Sequence, residues 1–157
     1  MSRSAANHAF FRFCRRATVF AVCLCLVWLS AVLAHAEDPA FVMVVHPSNP
    51  ASSVERAFLS DAFLKKKTRW PDDEAIYPVD LRLNSATRQH FSKRIHARSV
   101  AAVRSYWQQR IFSGRGVPPP ELEDDSAVVR YVLKHPGAVG YVRGDTPLKG
   151  VKVLQFH

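Results

Sequence analysis

All three cysteines of the 157-residue chain, Cys14, Cys23 and Cys25, fall before residue 26, so everything from Glu37 to His157 lacks a thiol. That excludes disulfides, cysteine nucleophiles and thiolate metal sites from this 121-residue remainder, whose stability must come from an apolar core. The length suffices, because domains of more than about 100 residues bury roughly two thirds of the surface their unfolded chains expose.

The division at residue 37 follows from the order of charge and hydropathy. Arg3, Arg12, Arg15 and Arg16, with no acid among them, lead into an uncharged run from Ala17 to Leu33, then Ala34-His35-Ala36 and the acids Glu37-Asp38. Basic segment, apolar run and small-x-small triplet are the parts of a secretory signal, so residues 1–36 are expected to be a signal peptide cut between Ala36 and Glu37. The expected destination is the periplasm or the cell exterior. An uncleaved anchor is the alternative, since the run approaches the roughly 20 residues that span a bilayer. Arg15-Arg16 raises the twin-arginine route, but nothing downstream reads as a cofactor site and no cofactor is expected. Cys23 and Cys25 lie inside the apolar run rather than at its boundary, which argues against a lipid anchor. Without the leader, 18 Lys and Arg face 13 Asp and Glu, a net +5 against +9 for the whole chain. A basic excess outside the cell favours anionic ligands or surfaces over nucleic acid.

Beyond residue 37 the pattern alternates strands with helices. Phe41 to His46 is an apolar, β-branched run stopped by Pro47; its lack of sidedness suits a parallel sheet covered on both faces. Ser52 or Ser53 is expected to cap a helix through about Leu64, with Val54, Phe58 and Ala62 on one face and Lys65 to Lys67 at its end. Trp70-Pro71-Asp72-Asp73 reads as a turn, and Ile76 to Leu81 as a strand whose Pro78 implies an edge or irregular position. Helices are expected over 86–95 and after Ser99, the second placing Val100, Val103, Trp107 and Ile111 on one side, with Phe112 and Trp107 as core aromatics. Asp124 or Asp125 should cap a further helix, stopped by Pro136-Gly137, and strands follow over 138–142 and 151–156. The implied fold is one α/β domain, a mixed, mostly parallel sheet flanked by helices.

The polar feature with most chemistry is Asn84-Ser85-Ala86-Thr87-Arg88, between a strand and a helix. A helix start presents unpaired N–H groups, and the hydroxyls of Ser85 and Thr87 add donors, so the segment is a candidate anion cradle. The simpler alternative is that Ser85 only caps the helix and Arg88 is solvated. Ser52 and Ser53 form a second candidate helix start facing the same crevice, and Asp80 could accept a proton from a protonated oxyanion or merely cap a turn. Lys65, Lys66, Lys67 and Arg69 read as a solvated helix end. The histidines His46, His90, His96, His135 and His157 have no metal-ligand spacing, no Gly-rich phosphate loop is present and no serine sits in a nucleophile elbow. No enzymatic activity, metal or nucleic-acid partner is therefore expected.

Several segments together resemble the phosphate-type substrate-binding components of ABC importers, in particular short relatives. They are Val44 to Pro50, Phe58 to Pro71, Ile76 to Asp80, Ser85 to Phe91, Tyr106-Trp107, Phe112 to Gly116 and Pro136 to Val142. The resemblance implies a periplasmic-binding-protein-like domain of type II over 37–157. In that family two α/β lobes close on phosphate through helix-start amides, hydroxyls, an arginine and an aspartate. Ser85-Ala86-Thr87 matches its serine–glycine–threonine loop with Ala86 in place of glycine, which adds a methyl group where backbone approaches the ligand. The family's arginine falls at Leu81, leaving Arg82 or Arg88 as substitutes. The length corresponds to a single lobe. Phosphate or a similar oxyanion is the implied ligand, an ABC permease or envelope protein the implied partner, and a homodimer a way to rebuild the cleft. The competing expectation is an envelope interaction module that has kept the lobe and lost the ligand.

Overall fold

The computed structural model describes residues 41–157; the expected signal peptide, with Ala36 and Glu37 at its cleavage site, lies outside the described residues. The strands are β1 (Phe41–Val45), β2 (Ser53–Val54), β3 (Tyr77–Pro78), β4 (Asp80–Leu81), β5 (Glu121–Leu122), β6 (Ala138–Arg143) and β7 (Lys152–Phe156). The helices are α1 (Arg56–Phe63), α2 (Ala86–His96), α3 (Val100–Phe112) and α4 (Asp125–Lys134). Five strands form one mixed sheet in the order β2-β7-β1-β6-β3, and β4 and β5 pair separately. The fold is α/β, a curled sheet flanked by helices, as expected of a single lobe of a periplasmic-binding-protein-like architecture.

The centre of the sheet differs from the sequence expectation. β1 runs antiparallel to both β6 and β7, while parallel pairing is confined to β2–β7, β3–β6 and β4–β5. β1 lacks sidedness because helices cover both faces, whatever the strand direction. Neighbouring residues of β6 demonstrate this: Tyr141 stacks on Phe91 of α2 with ring centroids 3.9 Å apart, whereas Gly140 meets Val128 and Val132 of α4. Successive strand residues point to opposite faces, so α2 and α4 sandwich the sheet. A Cβ on Gly140 would lie 2.5 Å from Val128 Cγ1, so glycine is what allows α4 this close. On the α2 face, Phe41, Phe63, Phe91 and Tyr141 form one aromatic cluster.

Pro78 occupies the position its chemistry dictates. Tyr77 and Val79 donate their amides to the carbonyls of Gly137 and Val139 around the start of β6, so the nitrogen of Pro78, at the outer edge, has no bond to make. The chain then changes partner, with the amides of Asp80 and Arg82 donating to Pro120 and Leu122. The single strand expected over 76–81 is thus two short ones, and β5 is an element that sequence periodicity did not reveal.

Two further expectations fail for identifiable reasons. Neither Ser52 nor Ser53 caps α1: Ser53 extends into β2 beside Gln155, and Glu55 precedes the helix without a side-chain capping bond. Val103 and Trp107 are buried, but Ile111 on the same face is 50 % exposed because the partner surface of α3, centred on Leu64, ends one turn earlier; Phe112, five residues from Trp107 and about 140° round the helix, is 90 % exposed. Ser85, Ser99 and Asp124 do cap α2, α3 and α4, each accepting a hydrogen bond from an amide three residues on.

Candidate functional site

Strand β4 delivers Asp80 and Leu81 into the space between β6 and the start of α2, and the turn 82–85 brings Arg88 back over them. Arg88 is buried rather than solvated. Its guanidinium forms an ion pair with the Asp80 carboxylate at 2.9 Å and donates to Glu121 Oε1 at 2.7 Å and to the carbonyl of Leu81 at 2.5 Å. Asp80 also accepts from the Tyr141 hydroxyl and from the amide of Leu81 at 3.0 Å. Four segments (β4, α2, β5 and β6) are therefore tied through one cation and two carboxylates.

The charges in this cluster are strongly perturbed by their surroundings. Burial pushes the Asp80 carboxyl above its ordinary range and Glu121 adds to the push, while Arg88, the Tyr141 hydroxyl and the Leu81 amide oppose it. The Tyr141 hydroxyl is held firmly protonated by its burial and by the adjacent Asp80, so it acts as a donor. Arg88 has its charge balanced within the protein by Asp80 and Glu121.

The remaining donors lie in the first turn of α2. The Ser85 hydroxyl accepts from the Arg88 amide at 3.3 Å and its carbonyl from the Gln89 amide at 3.1 Å. Ala86 is exposed and Thr87 buried; among the described residues, the amides of both and the Thr87 hydroxyl have no hydrogen-bonding partner. These are the groups an oxyanion would find.

Of the residues singled out in the sequence, the structure brings together Asp80, Ser85, Ala86, Thr87 and Arg88. Ser52 and Ser53 lie elsewhere, so they do not face the same crevice. The Arg56 guanidinium, just after β2, donates to the carbonyl of Ile95 at the far end of α2, about 15 Å along an 11-residue helix from Ser85. Ser53 contacts the C-terminal His157 at 3.1 Å instead. Leu81, where the sequence resemblance implied an arginine in the family, is 2 % exposed in the core, and Arg82 projects outward to Glu123.

Sequence reasoning missed Glu121 and Tyr141 as partners of Arg88. Tyr141 left a trace, since its hydroxyl is the only side-chain polar group in the apolar stretch Ala138 to Val142 and had to find a partner inside. Glu121 left none, because only the β4–β5 pairing makes it a neighbour of Asp80.

No protein-family model and no curated protein matches this sequence. Solved structures do. A protein from Clostridium perfringens, assigned as a phosphate ABC transporter substrate-binding protein and solved with bound phosphate, superposes with a TM-score of 0.60 at 16 % identity, over 74 % of this chain and 44 % of that one. An ABC-type phosphate transport receptor from Vibrio cholerae gives 0.60 at 21 % identity, over 74 % and 46 %. PstS from Borrelia burgdorferi gives 0.51 at 11 % identity, over 75 % and 47 %. The chain thus spans less than half the length of the structures it resembles. At these identities the likeness is one of fold, and the fold shared is that of one portion of these phosphate-type binding proteins.

Proposed function

We propose that the protein is a non-catalytic oxyanion-binding lobe, exported to the periplasm by its N-terminal 36 residues and related to the substrate-binding components of phosphate ABC importers. The observation that carries this reading is the first turn of α2, where the Ala86 and Thr87 amides and the Thr87 hydroxyl are uncommitted donors at the positive end of a helix. Arg88 then acts as a positioning residue, fixing the helix start over β4 while its charge is balanced by Asp80 and Glu121. Phosphate or a similar oxyanion is the ligand. An ABC permease is the partner this reading implies, and a second copy of the chain would supply the enclosure that one lobe lacks.

One observation favours a second reading, an envelope interaction module that no longer binds a ligand. Leu81 stands at the family's arginine position, and the nearest buried cation is neutralised by two carboxylates.

Calorimetric titration of the purified protein with phosphate and sulfate separates the two. Binding that weakens in Thr87→Val supports the anion site. Absence of heat up to millimolar anion, in monomeric and dimeric fractions alike, refutes it and leaves the interaction module.

A further inference from the structure

A second concavity lies where α2 turns into α3. It is an open hollow of about 550 Å³ lined by Leu83, Gln89, Lys93, Ala97, Arg98, Ser99, Val100 and Ala101, and it includes neither Ala86 nor Thr87. The turn is sharp because Ala97 adopts a left-handed conformation (φ 53°) that a side chain disfavours. Buried Ser92 holds it, its carbonyl accepting from the amides of Ala97 and Arg98 and its hydroxyl donating to the carbonyl of Arg98 at 3.0 Å. The concavity is thus built into a pinned backbone.

Its electrostatics are one-sided. Between Arg82 and Pro120 the sequence has eight Lys and Arg and no Asp or Glu, so neither helix forming the elbow supplies a carboxylate. Lys93 and Arg98 are exposed and form no ion pair among the described residues. A concave wall bearing like charges and no counter-charge concentrates potential on whatever enters. The other half of the lining is apolar, with Leu83, Ala97, Val100 and Ala101, and a space of this size holds an organic molecule rather than a bare oxyanion.

We infer that the α2–α3 elbow binds a phosphate ester carried on an apolar stem, the phosphate held by Lys93 and Arg98 and the stem lying on Leu83, Val100 and Ala101. The ester is either a soluble organic phosphate or the headgroup region of an acidic phospholipid, and both offer the same chemistry to the elbow.

The purified protein is titrated with hexyl phosphate while backbone amide shifts are followed, with hexanol as the uncharged control. It is also sedimented with phosphatidylcholine vesicles with and without phosphatidylglycerol. Saturable shifts at Leu83 and Arg98 to Ala101 are expected, absent with hexanol and weakened about tenfold or more in Lys93→Ala/Arg98→Ala, whose exposed positions leave the fold intact. Co-sedimentation confined to phosphatidylglycerol vesicles and lost in the same variant identifies the lipid source; hexyl phosphate binding without it identifies the soluble one. The inference is overturned if neither hexyl phosphate nor anionic vesicles bind, if hexanol gives the same shifts, or if the double variant binds as well as the parent. Amide shifts at Ala86 and Thr87 report on the first turn of α2 and those at Arg98 to Ala101 on the elbow, so the two sites succeed or fail independently.

Discussion

The carboxylate of Asp80 and the guanidinium of Arg88 meet at 2.9 Å with both side chains almost wholly withdrawn from water, 10 % and 7 % exposed. The attraction between the partners offsets part of the penalty of withdrawing each charge from water. Arg88→Met removes the cation and leaves two carboxylates facing one another, so it should cost about 3–5 kcal/mol in urea unfolding. Asp80→Asn combined with Arg88→Met should cost less than the sum of the single changes, a non-additivity that a double-mutant cycle measures directly.

Tyr141→Phe preserves the ring that stacks on Phe91 and removes the proton donor to Asp80. The loss should be about 1–3 kcal/mol, the cost of a buried acceptor deprived of its donor, with little change in the cooperativity of unfolding. A variant as stable as the parent would show that Asp80 finds full compensation in Arg88 and the Leu81 amide.

His96 gives the pH dependence a definite sign. Burial, then the nearby Arg98, Lys66 and Arg88, lower its pKa to about 4, and its ring is 3.0 Å from the Ser60 hydroxyl. The unfolded chain takes up a proton near pH 6.5, whereas folded His96 resists it until about pH 4. Across that interval falling pH favours the unfolded chain, and above it this residue contributes no pH dependence. Melting temperatures of the parent should therefore drop between pH 6.5 and 4 more steeply than those of His96→Gln.

Trp70 and Gly137, from two of the segments that carry the resemblance, touch: the indole Nε1 donates to the Gly137 carbonyl at 3.1 Å. A Cβ on Gly137 would sit 2.0 Å from the backbone oxygen of Ala75, which cannot move without breaking the turn. Gly137→Ala should destabilise by more than the about 1–3 kcal/mol typical of overpacking, and Trp70→Phe by about 1–3 kcal/mol. Thermal melts of the two variants provide the check.

These contacts show which parts of the molecule could be read from the chain. Capping is local chemistry, so Ser85, Ser99 and Asp124 announced three helices within a few residues of their true starts. Pro78 announced an edge because it lacks a donor wherever it stands. Ser53 carries the same local signal as Ser85, yet it is drawn into a strand by Gln155, about a hundred residues away. The helix start at Ser85 to Thr87 was visible for the same local reason as the other caps. The neutralisation of Arg88 was not, since it depends on Glu121 and Tyr141 being brought in by pairing and packing. Ile111 keeps a helical spacing with Trp107 but outruns the surface beneath it.

The pairing of β4 with β5 sets Asp80 opposite Glu121. Two like charges across so short a ladder oppose its formation, and Arg88 between them reverses the balance. Docking of α2, which presents the arginine, therefore favours closure of β5 on β4. The whole excursion from 82 to 120, with its eight cations, is thus latched at its base by the first of its own charges to be buried. A chain that loses that latch should release both helices together, as one cooperative unit detectable by hydrogen exchange, while the sheet beneath them stays closed.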